Sequence, residues 1–196
     1  MMYYHRKYGH KNPVPDSNYI FDKVVTIQLP LYNEMYVIER LIDSVCEINY
    51  PKDKLEIQVL DDSTDETTAI VAKAVEAKQK LGFDIVHIRR GSREGFKAGA
   101  LKEGMKIAKG EFIAIFDADF IPQKEFLMKT LAHFTDEKVG MVQTRWEHLN
   151  GDYSIITKAQ ALALDGHFVI EQTVRNKSGF FINFNGTGGV WRKKCI

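Results

Sequence analysis

Two aspartates separated by a single residue, Asp117 and Asp119, directly follow the short apolar run at residues 111–116. Such a run predicts a buried strand, so both carboxylates would leave its carboxyl end together. In open α/β sheets, ligands bind at that edge. Two carboxylates there can share a hard divalent cation that also binds a diphosphate. An Asp-x-Asp in isolation is more often turn chemistry, but the position after a predicted strand favours a metal and phosphate site.

An aromatic and a carboxylate side chain follow the first predicted strand, residues 24–29. Tyr32 offers a flat ring on which a nucleotide base could stack, and Glu34 adds a negative charge at the start of a helix. A simpler interpretation stays open, in which Tyr32 is a half-buried packing residue and Asn33 only caps the helix.

Two adjacent carboxylates follow the second predicted strand, residues 55–60. Nucleotide-binding α/β folds place acidic side chains at this strand end, so Asp61 and Asp62 are candidates for contact with a ribose or a base. Residues 63–65 carry hydroxyl and carboxylate groups that are typical of a helix cap. Both interpretations can hold together.

A glycine-rich segment, residues 91–101, follows the third predicted strand and leads into a helix. Free backbone N–H groups, Arg93 and Lys97 would converge there on a pyrophosphate. The segment is neither a Walker motif nor a dinucleotide fingerprint. The missing Gly-x-Gly-x-x-Gly after the first strand argues against a nicotinamide or flavin enzyme.

A polar glycine turn near the end of the sequence contains Asn185, Gly186 and Thr187. Trp191 and Arg192 follow it and could present a flat surface and a charge to a sugar. The simpler interpretation is an ordinary glycine turn. The histidines have no metal-ligand spacing and are expected to be structural or surface residues; they include those at positions 87, 133, 148 and 167.

Alternating strand and helix patterns are predicted to position these residues. Helices are expected at residues 37–48, capped by Asn33, and at 67–80, 98–108, 122–134 and 153–174, and strands at 24–29, 55–60, 83–88, 111–116, 139–144 and 179–184. Repeated βα units with short connections imply a mostly parallel sheet with right-handed crossovers and helices on both faces. The sequence therefore predicts a Rossmann-like α/β fold.

Composition points to one globular domain and excludes several classes of protein. The 196 residues are 44% hydrophobic and 27% charged. The net charge of +1 provides no positive electrostatic field that would attract nucleic acid. Two cysteines without ligand spacing indicate a reducing compartment. No apolar stretch is long enough for a membrane helix, so this chain is expected to be soluble. The division predicted is an arm at residues 1–22, flexible or flanking a membrane, and an ordered domain at 23–196.

The segments PLYNE, DDSTD, REGFKAGAL, FDADF, MVQTRW and NFNGTGGVWR occur in this order along the chain. Their order and spacing resemble the family 2 inverting glycosyltransferases of the GT-A fold, in particular the cellulose-synthase-like β-glycan synthases. The resemblance covers residues 24–196. It implies metal-dependent transfer of a hexose from a nucleotide-diphosphate sugar to a glycan or lipid acceptor, with a β-linkage. UDP-glucose is the first expectation for the sugar donor and GDP-mannose the other.

The resemblance, together with the residue arguments above, implies three sets of site residues. A nucleotide set comprises Tyr32, Glu34, Asp61, Asp62, Arg93, Lys97 and Asp117; a metal set for Mg²⁺ or Mn²⁺ comprises Asp117 and Asp119; and an acceptor set comprises Asn185, Gly186, Thr187 and Trp191.

The sequence departs from the family after its last motif. The Thr-Glu-Asp segment with the general base, the Gln-x-x-Arg-Trp segment and the membrane helices are not found. We therefore expect a truncated catalytic domain with the general base beyond Ile196, weakly active or inactive alone, and a full-length protein at the cytoplasmic face of a membrane. Two alternatives are a non-catalytic module that binds a nucleotide sugar and a sugar nucleotidyltransferase.

Overall fold

The structure is a computed structural model, and it describes residues 20–196. Nearly all of the predicted arm at residues 1–22 lies outside this range. The strands are β1 Val25–Leu31, β2 Leu55–Asp61, β3 Asp84–Arg89, β4 Phe112–Ile115, β5 Met141–Gln143 and β6 Gly189–Arg192. The α-helices are α1 Ile38–Cys46, α2 Thr67–Lys80, α3 Phe96–Ile107, α4 Phe126–Leu131, α5 Ile155–Asp165 and α6 Thr173–Lys177.

The six strands form one mixed, mostly parallel sheet in the order β3-β2-β1-β4-β6-β5. Strands β1 to β4 run parallel, with Val25 paired to both Leu55 and Phe112. Strand β6 lies antiparallel between β4 and β5. The predicted α/β architecture is therefore confirmed, with an antiparallel extension on one side.

Helices cover both faces of the central strands. Every residue of β1 and β2 is buried. Alternate residues point to opposite faces, and Ile27 and Leu29 join the apolar core that contains the buried stripe of α1. On the opposite face, the Gln28 side chain donates to the carbonyl of Leu101 in α3. A strand buried on both sides is expected for a parallel sheet between helix layers.

Three local predictions were wrong. Asn33 does not cap α1, because its φ is +57° and its side chain accepts a hydrogen bond from the Thr64 backbone instead. The helix predicted at 122–134 begins only at Phe126. The strand predicted at 179–184 is not formed, and the strand that pairs with β4 is Gly189–Arg192.

Residues 144–184 form a compact unit that is distinct from the unit containing the sheet. In this smaller unit α5 continues through a π-helical segment, Gly166–Gln172, into α6. Ser154 caps α5 through reciprocal hydrogen bonds with Thr157. Within residues 20–196, no helix is long and apolar enough to span a lipid bilayer.

Candidate functional site

Several of the predicted site residues meet in one cleft at the carboxyl edge of the sheet. The cleft has a volume of about 420 Å³. Its wall consists of Pro30, Leu31, Tyr32, Glu34, Asp62, Arg93, Lys97, Ala100, Asp117, Ala118 and Asp119. The loops after β1, β2 and β4 contribute side chains, as does the start of α3. A larger cavity, of about 720 Å³, lies within residues 145–165 and contains none of the predicted site residues.

Three of the four carboxylates in the wall, those of Glu34, Asp117 and Asp119, give the cleft a negative side. Burial raises the pKa of Glu34, and the negative charges of Asp119 and Asp117 raise it further. Among residues 20–196, no set of three or more His, Cys, Asp or Glu side chains is arranged to hold a metal ion by itself. The carboxylate oxygens of Asp117 and Asp119 nevertheless suit a hard divalent cation, provided that a ligand and water complete its coordination.

Lys97 supplies a positive charge next to these carboxylates. It lies in the first turn of α3, and its ammonium group donates a hydrogen bond to Asp117 Oδ1. The same nitrogen donates to the carbonyl oxygen of Gly186 at 2.9 Å. Lys97 therefore joins the loop after β4 to the turn that precedes β6. Its side chain is 39% exposed, so an anion in the cleft could reach it.

Arg93 covers one face of the Tyr32 ring. The guanidinium carbon lies 3.4 Å from the ring centroid, within the range of a cation–π contact. The same carbon lies 5.1 Å from the centroid of Phe96. A flat group entering the cleft thus meets a stacked pair of planar side chains.

The two aspartates at the carboxyl end of β2, Asp61 and Asp62, have different surroundings. The Asp61 side chain is fully buried and accepts hydrogen bonds at 2.9 Å from His87 and 2.8 Å from the Ser63 backbone. Burial alone would raise the pKa of Asp61, but the bonds from His87 and Ser63 lower it to about 2. Only Asp62 borders the cleft. The structure does not bring Asp61 to its surface.

The loops after β1 and β2 are fixed to each other. The backbone N–H of Asn33 donates to Ser63 Oγ at 2.9 Å. In return, the backbone N–H of Thr64 donates to Asn33 Oδ1 at 2.9 Å. Asn33 therefore braces the cleft wall, which explains its left-handed conformation better than a helix cap does.

The glycine turn at residues 185–188 contacts Asp117 directly. The backbone N–H of Asp117 donates to Thr187 Oγ1 at 2.9 Å. Gln143, at the end of β5, holds the turn by donating to the carbonyl of Thr187 and accepting from the backbone of Asn185. Gly186 and Thr187 thus contact Lys97 and Asp117 in the cleft wall, and the acceptor role of residues 185–187 stays a prediction.

Trp191 and Arg192 do not belong to this edge. Trp191 pairs with Ile113 inside the sheet, whereas Gly189 pairs with Ile115 at the cleft end of β4. Arg192 is buried, and its guanidinium donates to the carbonyl of Phe134. Arg192 is therefore not available to a sugar, and the assignment of Trp191 to the acceptor site stays a prediction.

Sequence reasoning missed three residues that support the site. His87 binds Asp61, Gln143 holds the glycine turn, and Arg90 forms a two-pronged ion pair with Asp62. His87 and Arg90 come from β3 and its carboxyl end, and two strands, β2 and β1, separate β3 from β4. One signal could have identified Arg90. It is a basic residue directly after β3, and the neighbouring strand β2 ends in acidic residues.

A mostly parallel sheet with an acidic, lysine-bearing cleft at its carboxyl edge is the architecture of GT-A glycosyltransferases. The mannosyltransferase PcManGT from Pyrobaculum calidifontis, solved in complex with GDP-Man and Mn²⁺, superposes with a TM-score of 0.77 and 28% identity over 98% of this chain and 52% of its own. Residues 26–191 match the family described as "Glycosyl transferase family 2". The chain belongs to this family.

Named relatives in plants are more similar in sequence. The chain is 43% identical over 178 residues to "Probable glucomannan 4-beta-mannosyltransferase 7" of Oryza sativa subsp. japonica, covering 88% of this chain and 30% of the relative. It is 41% identical over 178 residues to "Glucomannan 4-beta-mannosyltransferase 9" of Arabidopsis thaliana, covering 88% and 33%. The chain thus spans about a third of the length of these relatives.

Proposed function

We propose that this chain is the sugar-donor-binding part of an inverting, metal-dependent β-mannosyltransferase that uses GDP-mannose. The observation that carries the proposal is the cleft itself, in which Lys97 and the carboxylates of Asp117 and Asp119 lie beside the stacked pair of Tyr32 and Arg93. Lys97, Asp117 and Asp119 provide the positive charge and the cation ligands that a diphosphate requires. Tyr32 and Arg93 provide a planar surface that suits a base.

The choice of GDP-mannose is supported by what the similar proteins are named for. The plant relatives carry names of mannosyltransferases, and the archaeal structure was solved with GDP-Man. UDP-glucose, the first expectation from the sequence, is the competing sugar donor. Both nucleotides share the diphosphate, so the difference between them must be recognised where the base binds.

The residues of the cleft would act on the leaving diphosphate. In an inverting transfer, an acceptor hydroxyl attacks the anomeric carbon, the bond to the diphosphate oxygen breaks, and an α-linked donor gives a β-linkage. When bound at Asp117 and Asp119, a divalent cation would neutralise the charge that develops on the diphosphate. Lys97 would move from Asp117 to a phosphate oxygen, and N–H groups at the start of α3 would add to it.

The acceptor side is proposed to begin at residues 185–187. Thr187 and Gly186 already contact Asp117 and Lys97. A sugar bound against this turn would therefore lie next to the departing diphosphate. The base that takes the acceptor proton is not assigned to any residue of this chain.

Thermal unfolding with nucleotides tests the proposal, because a ligand that binds only the folded state raises Tm. GDP with Mn²⁺ at a 100-fold excess over its Kd should raise Tm by about 5 °C or more. GDP in EDTA, or UDP with Mn²⁺, should raise it far less. Asp119→Ala should abolish the Mn²⁺-dependent part of the shift.

Asp53→Ala is the matched control. Asp53 is an exposed aspartate in the turn before β2, at the opposite edge of the sheet, so its loss should leave the shift unchanged. A Mn²⁺-dependent shift with UDP alone would replace GDP-mannose by a UDP-sugar. No shift with either nucleotide, or an unchanged shift in Asp119→Ala, would refute the assignment of the cleft.

A further inference from the structure

Arg90 contacts two separate parts of the cleft wall at once. Its Nε donates to Asp62 Oδ1 at 2.7 Å, and its Nη2 donates to Asp62 Oδ2 at 2.5 Å. This is the fork geometry in which a guanidinium fixes a carboxylate in both position and orientation. The side chains are 15% and 6% exposed, so water screens the pair little.

The same guanidinium also holds the loop that carries Arg93 and Lys97. Nη1 of Arg90 donates to the carbonyl oxygen of Glu94 at 2.6 Å, and Nη2 donates to that of Phe96 at 2.8 Å. All three nitrogens of Arg90 are therefore engaged. Glu94 and Phe96 flank Gly95 and directly precede Lys97, so the bonds fix the backbone from which Lys97 projects.

This loop has a conformation that needs such support. Phe96 has a φ of +49°, which is uncommon for a residue with a large side chain. The loop also packs closely on α3, because a Cβ at Gly99 would lie 2.0 Å from the Glu94 oxygen and 2.4 Å from Arg90 Nη1. Glycine at position 99 thus makes room for the Arg90 guanidinium, and the guanidinium in turn satisfies the carbonyls of the strained loop.

We infer that Arg90 is a positioning residue that sets the separation between the carboxylate of Asp62 and the diphosphate-binding loop of Arg93 and Lys97. The inference rests on the proposed function, in which one nucleotide spans both. Because Arg90 occupies one lone pair on each oxygen of Asp62 and neutralises its charge, Asp62 is suited to accept a hydrogen bond from a ribose or base. It is not suited to hold a cation.

A nucleotide would contact both Asp62 and the loop of Arg93 and Lys97, whereas pyrophosphate would contact only the loop. The inference predicts that the affinity for the nucleotide depends on Arg90 more than the affinity for pyrophosphate does. Arg90→Lys keeps the charge but loses the fork. We expect its affinity for GDP with Mn²⁺ to fall about tenfold and its affinity for inorganic pyrophosphate with Mn²⁺ to fall at most about threefold. Titration calorimetry of the folded variant measures both. Equal losses for the two ligands, or no loss for GDP, would overturn the inference.

Asp62→Asn provides a second variant in case Arg90→Lys folds poorly. It breaks the same link from the other partner and keeps the size of the side chain. In the double variant the loss of GDP affinity should be smaller than the product of the two single losses, because both remove one interaction. Arg40→Lys, in an exposed position of α1, is the control and should change neither affinity. Multiplicative losses would contradict the inference.

Hydrogen exchange separates this inference from the proposed function. In the nucleotide-free chain, the amides of Phe96 and Gly99 donate to the carbonyls of Arg93 and Gly95. Arg90→Lys should speed their exchange about tenfold and leave the amides of β1 unchanged. If the wild-type chain bound no nucleotide, the proposed function would fail while this result could still stand. Unchanged exchange would overturn the role of Arg90 in either case.

Discussion

Two pairs of aspartates lie at the carboxyl edge of the same sheet, and their surroundings differ. At the end of β2, Asp61 is hydrogen-bonded to His87 and Asp62 is paired with Arg90. Asp119 is exposed to solvent, and Asp117 shares Lys97 with a backbone carbonyl. The first pair is held by protein groups, whereas the second has charge left for a ligand.

The comparison shows why acidic residues at strand ends are not equivalent. The pKa of Asp61 is lowered to about 2, because the effect of its hydrogen bonds outweighs the effect of its burial. Glu34, beside the second pair, has a raised pKa because two negative charges add to its burial. A carboxylate that the fold satisfies stabilises the fold, and a group of carboxylates that repel one another favours a bound cation.

Asp61→Ala should have the largest effect on the comparison. The substitution leaves the Ser63 backbone N–H and the His87 ring without their buried acceptor. We expect the free energy of unfolding at pH 7 to fall by about 3 kcal/mol. Asp119→Ala, by contrast, should change it by less than about 0.5 kcal/mol, as is usual for exposed positions. Urea denaturation measures both, and similar values would break the distinction between the two pairs.

The effect of Asp61 should also depend on pH. Its folded pKa of about 2 lies below the unfolded value of 3.8, so the charged form stabilises the fold. That contribution is complete above pH 4 or so and is lost as the pH falls towards about 2. The difference between wild type and Asp61→Ala should therefore narrow over this range. A difference that stayed constant would show that charge plays no part.

Local sequence predicted the strand ends well but could not predict which carboxylate faces the cleft. Each strand of the parallel part was found because buried strands are near-continuous apolar runs. Whether Asp61 or Asp62 faces the cleft depends on side chains from β3 and its carboxyl end. These side chains become neighbours of the aspartates only when the sheet forms. Long-range pairing of this kind leaves no local periodicity.

The antiparallel extension was harder to predict for a related reason. The apolar, aromatic residues 179–184 have the pattern of a strand, whereas β6 is short and begins with a glycine. Pairing with both β4 and β5 selects Gly189–Arg192, although this strand has only four residues and begins with a glycine.

Lys97→Met tests the second pair, Asp117 and Asp119, because it should change the affinities for Mn²⁺ and for GDP in opposite directions. Without nucleotide, the ammonium group of Lys97 competes with a cation for Asp117. Its loss should strengthen Mn²⁺ binding about threefold. With nucleotide, the same charge is lost from the diphosphate, and the affinity for GDP should fall about tenfold. Calorimetric titrations with Mn²⁺ alone and with GDP measure the two effects.

Lys106→Met is the matched control for this experiment. Lys106 lies on the same helix, pairs with Glu103 and is 61% exposed. Its removal changes the net charge equally but should alter neither affinity by more than about twofold. If Lys97→Met weakened both affinities, Lys97 would not compete with the cation.

Glu34→Gln should have the smallest effect and tests the repulsion among the carboxylates. The folded pKa of Glu34 is raised above 4.5, so the charged form destabilises the fold at pH values above the folded pKa. This cost is absent below the unfolded value. The substitution should thus raise stability slightly at pH 7, by less than about 0.5 kcal/mol, and not at pH 4. The control Glu137→Gln, on an exposed loop, should show no such difference between pH 7 and pH 4. Mn²⁺ should cancel the gain in stability of Glu34→Gln, because a cation relieves the same repulsion. A gain that persisted with Mn²⁺ would mean that a cation bound at Asp117 and Asp119 does not relieve the repulsion on Glu34.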